Sequence, residues 1–534
     1  MPPPSWRTWL ALGAATSAAA LLLYAGTLDG QFISDDINHV PNNVHIQTLD
    51  GERLLALLDP RGQPARATSN YAPVHLLIHA AQWQVFGLAT RGYHVTNVLL
   101  HACVSVLLAA FYLSAGLPRA AALLLAALFF VHPANVEAVA WIFQVKSIVA
   151  LGLSVAALLW FPRRPLASAL LFALALLAKI SALYALPVAA ARLFVERAPA
   201  RAWRALGPWV VVALAGSLAE LPLFQRTGEA PSSYQILDLG ERLRSTVAIA
   251  GRYVAMAATS YGVSPSHEPP PATSFADAWF LFGLAALAAI AVRALWTLRQ
   301  RRLEAVFWVW AGASYAPVSQ VFAFIYPMAD RYLYFILPGL LGAAYFLVRD
   351  LAQALARRTP LSAQSVLTGA GVAAALLAVA FAAHTRQQAF VWRSEAHVMR
   401  EAARRYPNGI GGVYLRARTS AQSGDLAGAL AALDELADRG YAVFVAVDRD
   451  AAFAPLRGSE EYQRVFRRMA ANWIAATPVA PNAKPSELRG MGLAHWLAGD
   501  PAAAEGFYRR AIEAGGPDAD AIRAEWEALR RQRR

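Results

Sequence analysis

Leu28-Asp29-Gly30-Gln31-Phe32-Ile33-Ser34-Asp35-Asp36-Ile37-Asn38-His39 follows directly on an apolar run, Trp9 to Thr27, that is long enough to cross a bilayer. Two adjacent carboxylates therefore stand where the chain leaves the membrane. A solvated carboxylate is a weak base. One held at a protein–lipid boundary can be raised in pKa and aimed at a substrate hydroxyl. The plain alternative is that Asp35 and Asp36 keep a loop hydrated. The run before them has Arg7 ahead of it, as a signal peptide would. It is long, however, lacks a small-x-small cleavage site before Asp35 and is followed by further spans, so it is expected to stay as the first helix.

The rest of the chain sets that stretch in a polytopic membrane protein. Of 534 residues, 57% are hydrophobic and 16% charged, a composition that excludes an ordinary soluble enzyme. The formal charge of +13 falls mostly on Arg in short loops between apolar runs, where it sets orientation. No nucleic-acid-binding motif accompanies it, and no nucleic-acid partner is expected. Cys103 is the single cysteine and lies in an apolar span, so neither an internal disulfide nor a Cys-based zinc site can form.

After the first span comes a polar segment, 29–92, read as the first outer loop. Leu54, Leu55, Leu57 and Leu58 suggest a short amphipathic helix on the membrane surface. Asn70-Tyr71-Ala72-Pro73-Val74-His75 opens a second, with His75, His79 and Trp83 at steps of four. His-x-x-x-His can hold a metal, but no third ligand is close and none is assigned. A divalent cation at Asp36 is conceivable, yet two carboxylates are not a complete site. In the second span His94, Asn97, His101 and Ser105 share one helical face. Either they bond other helices or they touch a substrate.

Next, His132-Pro133-Ala134-Asn135-Val136-Glu137-Ala138-Val139-Ala140-Trp141 must break a helix, because Pro133 has no amide donor. A broken helix at membrane depth is tolerated only inside protein or beside a cavity. Glu137 and Lys146 stand at the top of this hairpin, as an ion pair or as functional groups. Further spans are expected at 146–161, 165–179, 181–195, 203–223, 277–298, 303–325, 332–348 and 363–383, giving about 11 crossings. Segment 224–276 is read as an outer or re-entrant loop, because a crossing at 243–262 would place Arg299, Arg301 and Arg302 outside. The positive-inside rule puts the amino terminus in the cytoplasm and the carboxyl end outside. Arg331, in Asp330-Arg331-Tyr332-Leu333-Tyr334, is the preferred fork for phosphate oxygens. Tyr332 and Tyr334 fit interfacial aromatics equally well.

From residue 385 the composition becomes that of soluble helix. Ser423-Gly424-Asp425-Leu426 and Ala498-Gly499-Asp500-Pro501 read as one helix–Gly–Asp–helix corner repeated 75 positions apart. Such arrays usually bind partners. The domains are accordingly a transmembrane domain, 1–384, and an extracytoplasmic helical-repeat domain, 385–534.

These elements together resemble the membrane-embedded, lipid-phosphate-sugar-dependent glycosyltransferases of the GT-C fold. Within them they resemble the transmembrane-and-tetratricopeptide (TPR) O-mannosyltransferase family and its bacterial relatives. The likeness is carried by Asp35-Asp36, Gly92-Tyr93-His94-Val95-Thr96-Asn97-Val98-Leu99-Leu100-His101, His132-Pro133 through Trp141, Ala178-Lys179, Asp330 through Tyr334, and the repeat-bearing tail. It implies an all-α polytopic membrane protein: a GT-C type bundle with a TPR-like soluble domain. It implies transfer of one sugar from a polyprenyl-phosphate carrier to an acceptor hydroxyl, protein Ser or Thr foremost, with inversion, on the extracytoplasmic face of a bacterial inner membrane. The lipid-linked sugar is then the donor substrate; a divalent cation stays open and no other cofactor is assigned. Asp35 or Asp36 would be the base, Asp35 first. Glu137, His94, Asn97, His101, His132 and Tyr332 would orient acceptor or sugar. Lys146, Lys179 and Arg331 would neutralise the departing phosphate. Relatives often carry Arg or Lys followed by Asp or Asn where this chain has Lys146-Ser147. The short repeats leave a glycolipid or polysaccharide acceptor open. Outside this family, a non-catalytic scaffold would need only the repeats. A transporter would show internally repeated broken segments, and none is evident.

Overall fold

The structure is a computed structural model, and it describes residues 5–532 except 49, 69–70, 225–236, 322–325, 477–478, 480–482, 484 and 516–518. The expected opening of a helix at Asn70, part of the 224–276 loop and the end of the 303–325 span therefore lie outside the described residues. Helices alone make up the regular structure among the described residues. The chain divides into two compact units, Met1–Gln225 with Leu237–Val398, and a second that contains Met399–Arg534.

Among the described residues, six helices of the first unit are long and apolar enough to cross a membrane: Thr90–Ser114, Ile142–Trp160, Ala200–Glu220, Ala278–Arg299, Asp330–Ala356 and Ala363–Val391. Arg119–Phe130 with Pro133–Ala140 makes a seventh if this pair, bent by 53°, counts as one. The chain is thus a multi-pass membrane protein. The count is lower than the sequence suggests: the expected first span is an 18-residue helix, Trp6–Leu23, that includes Arg7 and is not in the set, and the other reasons are local. Hydropathy runs continuously over 165–195, but Lys179 and a 3-10 turn divide it into Pro165–Ala178, of 14 residues, and Ala185–Val195, of 11. Fourteen residues of helix reach about 21 Å, short of a hydrocarbon core of about 30 Å. The span at 303–325 is likewise only a 12-residue helix, Glu304–Tyr315, before a 3-10 turn. Helix Leu239–Thr259 has the length, 21 residues, but Glu241, Arg242, Arg244 and Arg252 keep it outside the apolar set.

Small residues let the helices approach. A Cβ on Gly283 would sit 2.1 Å from the carbonyl oxygen of Val247, and one on Gly339 would sit 2.6 Å from the amide of Ala311. Those two glycines bring Leu239–Thr259 onto Ala278–Arg299, and Glu304–Tyr315 onto Asp330–Ala356. In the first loop, helix Gly51–Leu58 buries Leu57 and exposes Leu54, Leu55 and Leu58.

Helix Ala363–Val391 runs without interruption through residue 385. In the second unit, the two Gly–Asp corners have one geometry. Gly424 and Gly499 take φ of +85° and +84°, where a side chain would be strained. Asp425 and Asp500 then cap the next helix by accepting the amides of Gly428 and Ala503 at 2.9 and 3.0 Å. Helices Ile410–Gln422 and Leu426–Asp438 form one hairpin; Pro485–Leu497 and Pro501–Glu513 form the other.

Candidate active site

Pro133 breaks its helix as expected, and the side chains around the break take up the freed carbonyls. Asn135 Nδ2 donates to the oxygen of Phe129 at 2.6 Å, His101 Nε2 to that of Phe130 at 3.0 Å, and Thr385 Oγ1 to that of Val131 at 2.7 Å. His132 accepts the amide of Ala134 at Nδ1 and donates to the oxygen of Ala257 at Nε2. The remaining nitrogen of His101 meets the hydroxyl of Tyr334 at 3.0 Å. Asn97 donates to the oxygen of Trp141 at 3.1 Å. Of the residues expected to orient substrate, His101 and His132 therefore have both ring nitrogens engaged in holding the broken helix, and the Asn97 amide nitrogen ties the hairpin to the second span. His94 is buried against Gly30, where a Cβ would come within 2.9 Å of its Nε2.

The two first-loop acids have separate tasks. Asp36 is buried, and its carboxyl oxygens accept the amides of Ile33 at 3.0 Å and of Phe143 at 2.7 Å. It clasps the loop to the segment after Trp141. Burial, reinforced by the charge of Asp35, pushes its pKa up to about 8, against the pull of the two amides. Asp35 is partly exposed, and its carboxylate has no hydrogen-bond partner among the described residues. Burial raises its pKa, and the charges of Lys146 and Arg331 act the other way. Acid and cations thus share one electrostatic neighbourhood.

Glu137 does not pair with Lys146. Its carboxylate takes Arg331 instead, accepting the backbone amide at 2.7 Å and the guanidinium at Nη1. The guanidinium lies over the rings of Tyr326, Tyr332 and Trp141 at 4.9, 5.1 and 5.7 Å. Arg331 is thereby fixed in place with its charge balanced. The lysines are different. Lys146 Nζ rests on the face of Phe143, 3.7 Å from the ring centre. Lys179 Nζ donates to Ser147 Oγ at 2.8 Å, and that hydroxyl donates to Gln144 Oε1 at 2.6 Å. Ser147 is thus the seat of Lys179. Neither lysine has a carboxylate within ion-pair distance among the described residues. Two of the chain's three lysines stand here, among 48 basic residues in all. A compact ammonium rests on the face of one ring or donates to one hydroxyl, where a guanidinium would need a planar fork of acceptors.

Three contributors were not singled out from sequence. Glu220 accepts the amide of Tyr71 at 2.8 Å, and its charge acts on Lys146; an acid inside an apolar span was its signal. His267 meets Asp330 at 2.6 Å, and Asp330 also accepts the amide of Ser264 at 2.9 Å. Tyr253 bonds both backbone groups of Ala329. Asp330 and Tyr253 therefore set the turn that presents Arg331. No group of three potential metal ligands is present among the described residues.

No family model matches the chain. It is similar to protein O-mannosyl-transferase Tmtc1 of Drosophila melanogaster, 36% identical over 134 residues, covering 24% of this chain and 15% of that protein. It is also similar to protein O-mannosyl-transferase TMTC4 of Homo sapiens, 33% identical over 158 residues, 26% of this chain and 20% of that one. The chain spans a fifth or less of the curated relatives it matches.

Proposed function

We propose that this chain is a membrane glycosyltransferase of the GT-C type. It moves one sugar from a polyprenyl-phosphate carrier onto a protein Ser or Thr hydroxyl at the extracytoplasmic face of a bacterial inner membrane. Mannose is the first sugar to test, from the names of the two relatives. The observation that carries the reading is a charge pattern: Asp35, a carboxylate without a hydrogen-bond partner, lies in the field of Lys146 and Arg331, and neither Lys146 nor Lys179 has a carboxylate within ion-pair distance among the described residues.

In this reading Asp35 removes the proton from the acceptor hydroxyl, whose oxygen attacks the anomeric carbon from the face opposite the phosphate. The new bond is oxygen to C1. The bond broken joins C1 to the phosphate oxygen, which keeps the electron pair, so the anomeric configuration inverts. The leaving lipid phosphate gains negative charge as it departs. Lys146 and Lys179 stabilise that charge from a partly dry site, where a fixed cation acts most strongly. Arg331, locked by Glu137, aligns the donor. The amino terminus is cytoplasmic, and the TPR-like carboxyl unit presents the protein acceptor.

The test is transfer from polyprenyl-phosphate [14C]mannose to a Ser/Thr-rich peptide in proteoliposomes. Asp35→Asn should cut the rate by about 10²- to 10⁴-fold with donor binding retained. Undiminished transfer by Asp35→Asn contradicts the mechanism.

A further inference from the structure

One buried group beside the lysines has no task in that mechanism. Helix Pro73–Phe86 turns His75, His79 and Gln82 into the protein. His79 Nδ1 meets Gln82 Oε1 at 2.9 Å. His75 is 2% exposed, and its Nε2 is buried without a hydrogen-bond partner among the described residues. Its ring packs edge-on against Phe143, with centres 5.2 Å apart, and Phe143 is the ring whose face carries Lys146. His39 closes on the same ring at 4.4 Å. Phe143 thus brings His75 and Lys146 to one platform, and the charges of both Lys146 and Lys179 act on His75.

A buried nitrogen left unpaired costs free energy, and filling the space with an apolar ring would remove that cost. Burial and the neighbouring histidine and lysine charges hold this imidazole well below the usual histidine range, so it is neutral at pH 7. A neutral imidazole offers an N–H at Nε2 in one tautomer and a lone pair in the other. Beside the two lysine amines that the proposed function assigns to the phosphate, the first is the useful one.

We propose that His75 is a third ligand of the phosphate held by Lys146 and Lys179, donating its Nε2–H to a phosphoryl oxygen. The inference rests on the reading of this site as a phosphate site and adds to it a neutral donor. Two ammonium groups attract any anion. A directional N–H adds a preference for an oxygen at one position, and so for one placement of the phosphate.

The experiment compares wild type, His75→Phe and His75→Gln in detergent micelles. Thermal unfolding and equilibrium titration are followed with undecaprenyl monophosphate and, separately, inorganic phosphate. His75→Phe should unfold at the same temperature as wild type or higher, because its unpaired nitrogen is gone, yet bind undecaprenyl monophosphate about tenfold more weakly. His75→Gln keeps a donor and should lose less. In turnover the loss should fall on KM for the donor, with kcat nearly unchanged. If inorganic phosphate protects wild type and not His75→Phe, the contact is made to phosphate itself, whatever carries it. Should the phenylalanine variant not fold, the glutamine variant and its KM carry the test. Equal affinity in wild type and variants overturns the role of His75 alone. A wild type indifferent to both phosphates overturns the phosphate site, and this inference with it.

Discussion

Two polar clusters lie within the membrane unit, and they differ in how their charges are matched. In the first, Arg293 grips the buried Glu304 with two bonds of 2.7 Å and reaches Asp350 at 2.6 Å. Arg302 takes both oxygens of Asp350, Arg349 takes one, and Trp308 donates to Glu304. Every carboxylate there is answered by a guanidinium. In the second, around Phe143, the Asp35 carboxylate has no hydrogen-bond or ion-pair partner among the described residues, while Lys146 and Lys179 rest on a ring and a hydroxyl. Burying charge without a counter-charge is unfavourable. A fold keeps such an arrangement where the missing charge arrives with a substrate. The saturated cluster holds helices together; in the proposed reading the unsaturated one awaits a charged substrate.

The contrast can be broken by exchanging the two kinds of loss. Glu304→Ala leaves Arg293 with Asp350 as its one remaining carboxylate and should lower stability by about 2–3 kcal/mol, read by chemical or thermal unfolding, with activity per folded molecule preserved. Lys179→Met should do the reverse. It removes an amine with no ion-pair partner among the described residues, so the melting temperature holds or rises, while transfer falls by about 10²- to 10³-fold. If Lys179→Met were instead the destabilising variant, the distinction between the clusters would fail. Packing without charge gives an intermediate case: Gly283→Ala drives a methyl against the carbonyl of Val247 and should cost about 1–3 kcal/mol.

Asp36 sharpens the comparison through pH. Its folded pKa, about 8, lies above the ordinary carboxyl value of 3.8. The protonated form is thus bound more tightly in the folded state. Its stabilising contribution is complete below about pH 4 and is lost as pH rises toward 8. The melting temperature of wild type relative to Asp36→Asn should therefore decline across that window and then level. A flat difference would mean that the clasp does not titrate. The smallest effect belongs to a pair in the second unit, the exposed Arg404 with Glu401, which Arg405 also holds. Arg404→Ala should change stability by less than about 1 kcal/mol.

Much of the site was legible in the sequence because apolar surroundings make polar residues conspicuous. Asp35, Glu137, Lys146, Lys179 and Arg331 could all be singled out that way. Partnership could not. Glu137 is nine positions from Lys146, yet it takes Arg331, 194 positions on. Periodicity puts His94, Asn97 and His101 on one face but does not say that this face holds a broken helix. Nor does it separate the two acids: only the fold gives Asp36 the amides of Ile33 and Phe143 and leaves Asp35 unengaged. The helical class followed from composition. The number of membrane-length helices did not, since a hydropathy window passes over the break at Lys179 that ends helix Pro165–Ala178. The repeated corners were readable because Gly424-Asp425 and Gly499-Asp500 each combine a positive φ with a helix cap.

The central claim is that two lysines lack a counter-charge because a lipid phosphate supplies it. Calorimetric titration of undecaprenyl monophosphate into wild type and into the double variant Lys146→Met, Lys179→Met tests this most directly. Saturable binding by wild type, abolished in a double variant that still unfolds cooperatively, is the predicted result. Equal affinity in both proteins would contradict the account.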